Sequence, residues 1–128
     1  MTTLGYQKVR ERYWHKQGIM EPDGSGFLTW ETYKAVMEFQ HNRCGVCDKI
    51  FFADDKGSDT ADHAHGKNDM GPFRGVLCGK RRGCNWRFVG KVERFPNLKI
   101  RDGTGEHAAK LYLEDPPAQQ WLRQKNGG

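Results

Sequence analysis

Four cysteines in two close pairs constrain this chain more than any other feature. Cys44 and Cys47 flank Gly45-Val46; residues 48–77 follow, and then Cys78 and Cys84 form the second pair. A close pair of thiols can hold a metal from one turn, and two such pairs fill a tetrahedral shell. One zinc ion bound by four thiolates is therefore the expected arrangement. The first spacer, of two residues, is a common zinc-knuckle spacing. The second, Gly79-Lys80-Arg81-Arg82-Gly83, is wider than usual. A glycine at each end would let the longer loop bulge and still return its cysteine. The alternatives are free buried thiols, or a site completed by a histidine.

Composition shows why such a chain would need a metal. It has 128 residues, enough for one domain, but only 36% are hydrophobic, 29% are charged and 16 are glycines. A core this sparse predicts that zinc contributes part of the folding free energy, roughly 10 kcal/mol or more at neutral pH. The first ten residues lack the apolar run of a signal peptide, and no stretch is long enough to span a bilayer. The expectation is an intracellular protein, with no membrane partner, whose thiols stay reduced and available to metal. Lys+Arg number 21 against 16 Asp+Glu, a formal charge of +5. That balance favours polyanionic partners such as nucleic acid. A merely soluble basic protein would account for it equally well.

Periodicity predicts a small α+β domain. A basic helix is expected over 5–17, with Tyr6, Val9, Tyr13 and Trp14 on one side. Its Arg10, Arg12 and Lys16 would either meet a DNA backbone or form a solvated face. Residues 21–26 read as a turn, and Thr29 as the N-cap of a helix through Gln40 that buries Trp30, Tyr33, Val36 and Met37. A short strand is expected over 49–52, an acidic turn over 54–59, and a second strand over 60–65. After a loop over 66–72, Arg74-Gly75-Val76-Leu77 leads into Cys78. A helix is expected from about Cys84 to Glu93, and another over 107–114, stopped by Pro116 and Pro117. The tail through Trp121 and Leu122 would dock or dangle. The expected division is 1–26 for the basic helix and turn, 27–117 for the central domain and 118–128 for the tail.

The chemistry-bearing residues lie inside and just beyond the cysteine frame: Asp62-His63-Ala64-His65 between the pairs, and Asn85 directly after the last thiol. In a regular strand Asp62 and Ala64 face one side, His63 and His65 the other. A twist or bulge is needed for Asp62 and His63 to converge on one phosphate. Phosphodiester hydrolysis requires an activated water, a Lewis acid at the phosphate and stabilisation of the leaving 3′ oxygen. A histidine titrating near pH 6.5 can take the water's proton, and a carboxylate with an amide oxygen suits Mg2+. Taken alone, Asp-His-x-His is more often exposed polar sequence or a zinc site.

The order Cys-x2-Cys, Asp-His-x-His, Arg-Gly-x-Leu-Cys, Cys-Asn resembles the phage recombination endonuclease VII family, among the HNH or ββα-metal (His-Me finger) nucleases. The helix over 28–40 and the segment Ala109-Lys-Leu-Tyr-Leu-Glu-Asp-Pro-Pro117 add to the likeness, which covers about residues 27–117. The resemblance implies a zinc-stapled ββα-metal domain with flanking N- and C-terminal helices. In it, Cys44, Cys47, Cys78 and Cys84 would bind structural Zn2+, and Asp62 and Asn85 the catalytic Mg2+ or Mn2+. His63 would be the general base, and His65 would support the phosphate or the metal shell. Arg74 would contact DNA or sit in a salt bridge; Lys80, Arg81 and Arg82 would be a tolerated insertion or a DNA contact.

The implied activity is DNA endonuclease cleavage leaving 5′-phosphate and 3′-hydroxyl ends. It extends to resolution of four-way (Holliday) junctions by a homodimer in the cytoplasm of a phage-infected bacterial host. Besides the widened second knuckle, one departure stands out. Some members carry glutamate three residues after the asparagine, where this chain has Phe88; Glu93 lies further along the same helix. The rival readings are an HNH nicking or packaging-associated nuclease without junction preference, a zinc-stapled DNA-binding module without catalysis, and a protein-interaction zinc domain.

Overall fold

A computed structural model describes residues 4–51, 58–79 and 83–127. Helix α1 (Leu4–Gln17) turns through Gly18 into a two-residue strand β1 (Ile19–Met20), and a tight turn leads to α2 (Trp30–Phe39). Thr29 caps α2, its hydroxyl accepting the Thr32 N–H, and so satisfies one of the free donors of the first turn. Strands β2 (Asp59–His63) and β3 (Gly71–Cys78) follow, joined through a 3-10 turn at Lys67–Asp69. The chain then runs through a wide π-helical segment, Asn85–Gly90, into α3 (Lys91–Arg94), α4 (Gly105–Glu114) and α5 (Pro117–Gly127).

The sheet has the order β1-β3-β2, with β1 parallel and β2 antiparallel to β3. Two apolar clusters flank it. The first gathers Trp14, Ile19, Leu28, Tyr33, Val36, Phe73, Val76 and Ala118; the second gathers Leu77, Val89, Ala109 and Tyr112 with Cys44 and Cys84. Two of the four cysteines, Cys44 and Cys84, thus belong to the core.

Several sequence expectations are corrected. The buried face of α1 keeps Tyr6 and Trp14 of the four expected residues but not Val9 and Tyr13, which are 54% and 58% exposed. It is the row Tyr6–Arg10–Trp14, stacked at four-residue spacing. Trp14 packs on Tyr33 (ring centroids 4.6 Å) and stacks on Trp30 (6.2 Å). Arg10 lies over the Tyr6, Trp14 and Tyr33 rings and donates to the Asp59 carboxylate at 3.2 Å. It is committed to the interior, so only Arg12 and Lys16 of the three named cations remain on the surface.

The strand expected over 49–52 is, among the described residues, one isolated bridge between Arg43 and Ile50. Asp48 adopts φ 62° and the Cys44 N–H donates to the Lys49 carbonyl, so the chain closes a turn there and no ladder extends. The acidic stretch 54–57 lies outside the described residues. The tail docks. Pro117, unable to continue α4, is tolerated at the start of α5 because the first turn needs no N–H there. Ala118 is fully buried, and the Gln119 amide donates to the Pro22 carbonyl at 2.9 Å.

Gly71 is the tightest point near the site. A Cβ there would lie 1.8 Å from the carbonyl oxygen of Ala64, the residue between the two histidines. Gly71→Ala is expected to cost about 1–3 kcal/mol in a denaturant melt, since β3 or the Ala64 backbone must shift.

Candidate active site

The frame comes first. The four cysteine sulfurs lie within 4.8 Å of one another, and those of Cys47 and Cys78 are 3.8 Å apart. Thiolates about 2.3 Å from a shared tetrahedral ion stand about 3.8 Å from each other. The set therefore fits one zinc, and the widened second spacer still delivers Cys84 to it. A hydrogen bond from Cys84 pulls the Cys44 thiol down to about 5, while holding that shared proton pushes the Cys84 thiol up. The backbone N–H groups of Val46 and Cys78 both point at the Cys44 sulfur from 3.4 Å. An enclosed thiolate with amide donors around it is a prepared metal ligand. Lys80, Arg81 and Arg82 lie outside the described residues.

A bulge lies opposite the Asp-His step, on the partner strand and not between the two residues themselves. Asp62 pairs with Gly75 but His63 pairs with Phe73, so Arg74 is the extra residue in β3. Arg74 turns inward: its Nε and Nη2 grip both Asp62 oxygens at 2.8 and 3.0 Å, and its Nη1 and Nη2 reach Glu93 at 3.0 and 3.1 Å. Burial disfavours the guanidinium's charge, but its hydrogen bonds to Glu93 and Asp62 more than offset this and hold it protonated. Of the two roles open to Arg74, the structure places it in the salt bridge. The Tyr112 hydroxyl donates to Asp62 Oδ2 at 2.8 Å, kept protonated by burial and by the carboxylate's own charge.

Asp62, 3% exposed, thus receives three hydrogen bonds and keeps one free lone pair, on Oδ1. Two carboxylates, buried Asp62 and solvent-facing Glu93, share one guanidinium, leaving a net negative charge that a divalent cation would balance.

His63 points into an open cleft of about 410 Å³, whose lining includes His15, Lys16, Phe27, His65 and Asp69. Its Nε2 lies 3.0 Å from the Asp69 carbonyl oxygen. A carbonyl can only accept, so in the neutral ring Nε2 carries the proton and Nδ1 carries the lone pair. Burial lowers the His63 pKa and keeps the ring neutral. The carboxylate of the same Asp69 accepts from His65 Nδ1 at 2.7 Å, and the two imidazoles stand 4.6 Å apart. Asp69 manages both contacts because Asn68 and Asp69 adopt left-handed backbone, at φ 58° and 63°, which folds the turn back over the histidines.

The structure therefore joins Asp62 to Arg74, Tyr112 and Glu93, and His63 to His65 and Asp69. Asn85 begins the π-helical segment directly after Cys84, half-buried, and its side chain makes no hydrogen bond among the described residues. Phe88, at the position where some relatives have glutamate, packs in the second cluster against Gly105. Glu93 is the carboxylate that arrives beside Asp62, by way of Arg74. Sequence reasoning missed Asp69 and Tyr112. Asn68-Asp69 carried a turn signal, but nothing local marked Asp69 as an orienting group, and Tyr112 reaches Asp62 across 50 positions.

No helix among the described residues is long and apolar enough to cross a membrane. No curated protein and no solved structure is significantly similar to the chain. The family model described as recombination endonuclease VII matches residues 13–114, a span containing the cysteine cluster, the Asp62-His63 strand and Asn85. With most of its length and the whole of this site inside that match, the chain belongs to the recombination endonuclease VII family.

Proposed function

We propose that the protein is a divalent-metal-dependent DNA endonuclease of the ββα-metal (HNH) type. The motif would comprise β2, β3 and the helical segment from Asn85, fixed by zinc on Cys44, Cys47, Cys78 and Cys84. The observation that carries this reading is the one ring nitrogen of His63 left available in the cleft. His63 is buried and neutral, and its Nε2 is tied to a carbonyl, so Nδ1 is free to take a proton in the cleft.

In this reading a water in the cleft loses its proton to His63 Nδ1 and attacks the phosphorus. The P–O3′ bond breaks and the leaving 3′ oxygen takes a proton from water, giving 5′-phosphate and 3′-hydroxyl ends. Burial and the Asp69 carbonyl preset the ring's tautomer, so no reorientation is needed before proton transfer. His65, held by the Asp69 carboxylate, presents its remaining nitrogen toward the phosphate or the metal's water shell. The free lone pair of Asp62 and the unengaged amide oxygen of Asn85 are hard donors suited to Mg2+ or Mn2+. That ion would supply Lewis-acid stabilisation to the phosphate and the leaving oxygen. Arg74 and Tyr112 would hold Asp62 in one orientation. The finer reading is resolution of four-way junctions by a homodimer in the cytoplasm of a phage-infected bacterial host.

The test is cleavage of linear, nicked and four-way-junction DNA with and without Mg2+, beside His63→Ala. Loss of the base should lower the rate by about 10²–10⁴-fold while zinc content stays at one ion per chain. Unchanged cutting by His63→Ala would sink the assignment of the base, and stoichiometric zinc release would show that His63 is a zinc ligand. Equal rates on linear and junction DNA would point to a nicking enzyme without branch preference. Binding without any cutting would leave a DNA-binding module.

A further inference from the structure

Helix α1 carries a second row of side chains that the core does not use. Lys8, Arg12 and Lys16 recur every four residues, so they line one face. With a rise of 1.5 Å per residue they span about 12 Å, one cation about every 6 Å. All three are exposed, and none forms an ion pair among the described residues.

Two clefts lie along this row. The first, about 500 Å³, is lined by Lys8, Arg12, Phe27 and others; the second is the cleft that holds His63. They meet at His15 and Phe27, whose rings stack at 3.7 Å and which line both. Lys16 lines the second cleft, with His63 and His65. Glu11 is the one acidic residue in the lining of the first, and its carboxylate is occupied, accepting the Trp30 N–H at 2.6 Å. The row therefore leaves the first cleft with an excess of positive charge, Lys8 and Arg12 against Glu11, and ends at Lys16 beside the imidazoles and Asp69. Lys8 and Arg12 also precede residue 13, where the family match begins.

We infer that this row is a track for the phosphate backbone of one DNA strand, leading the strand through the first cleft to the scissile phosphate at His63. The partner follows from charge and spacing. A duplex strand advances about 3.4 Å along the helix axis per phosphate and further along its own winding backbone, so three cations about 6 Å apart suit two or three consecutive phosphates. The identity of the polyanion rests on the DNA-cleaving reading above, but the track itself can be tested by binding alone.

The experiment is fluorescence anisotropy with a labelled short DNA duplex in buffer free of divalent cations, titrated over a series of KCl concentrations. The triple variant Lys8→Ala, Arg12→Ala, Lys16→Ala is compared with wild type. A control variant, Lys99→Ala, Arg101→Ala, Lys110→Ala, removes the same charge from exposed positions outside both clefts. Each lost phosphate contact should lower the log–log salt slope by about 0.9, so the track variant should lose roughly 2–3 in slope and tenfold or more in affinity. The control should stay near wild type in both. Absence of salt-dependent binding by wild type, an unchanged track variant, or an equal loss in the control would each overturn the track. A wild type that binds through the row but never cuts with Mg2+ would overturn the nuclease reading and leave the track standing.

Discussion

Cys47→Ser is expected to leave the protein without zinc and without a cooperative thermal transition. Cys47 is the most exposed of the four cysteines, so exchanging its sulfur for oxygen removes almost no packing. Any large effect must therefore come through the metal. A structural zinc site at neutral pH is worth roughly 10 kcal/mol or more, comparable to the whole stability of an ordinary domain. The site also joins three parts of the chain: the loop after α2, the end of β3 and the start of the π-helical segment. Cys44 and Cys84 lie within the second apolar cluster, so losing the ion also loosens the packing of Leu77, Val89 and Tyr112. Zinc content and circular dichroism read the outcome together. A variant that binds no zinc yet melts like wild type would show that the thiols hold the fold without metal.

Arg74→Met should destabilise the protein by about 3 kcal/mol at pH 7–8, because it leaves the buried Asp62 carboxylate without its cation, beside a solvent-facing Glu93. The side chain is of similar length, so cavity formation is minor. The pH dependence supplies the diagnostic. In the variant, Asp62 and Glu93 repel each other with no cation between them, and a proton taken up by the folded state relieves that repulsion. The folded state then binds more protons than the unfolded one, so stability lost at pH 8 should return in part as pH falls toward 5. Wild type, with the guanidinium in place, should show no such recovery. Chemical denaturation across that range measures it; a variant whose deficit is constant with pH would mean that Arg74 acts by packing alone. DNA cleavage should fall with it, since Asp62 loses the partner that orients its free lone pair.

Much of this fold could be read from local signals. Thr29 announced α2 because a hydroxyl before a helical pattern has a neighbouring donor to satisfy, and Tyr33 and Val36 followed at core spacing. The need for a bulge at Asp62-His63 followed from strand alternation alone. Other features had no local signature. Arg10 looked like a surface cation, and only the arrival of Asp59 and Tyr33 from elsewhere in the chain made it a core residue. Val9 and Tyr13 looked apolar enough to bury, yet Tyr6, Arg10 and Trp14 form the face that meets α2.

The same division runs through the site. Sequence by itself determined the ligand inventory: four thiols in two pairs, a carboxylate and two imidazoles between them, an amide after them. Spacing of a few residues controls what a turn or a strand end can present, and those spacings are written in the chain. Only the tertiary structure decided how each group is set. It gave Asp62 to Arg74 and Tyr112, placed Glu93 on the far side of the same guanidinium, and turned Asp69 back to fix the tautomer of His63. Those partners lie between 6 and 50 positions away. Burial, proton position and charge balance depend on which groups converge in space, and no local pattern encodes that.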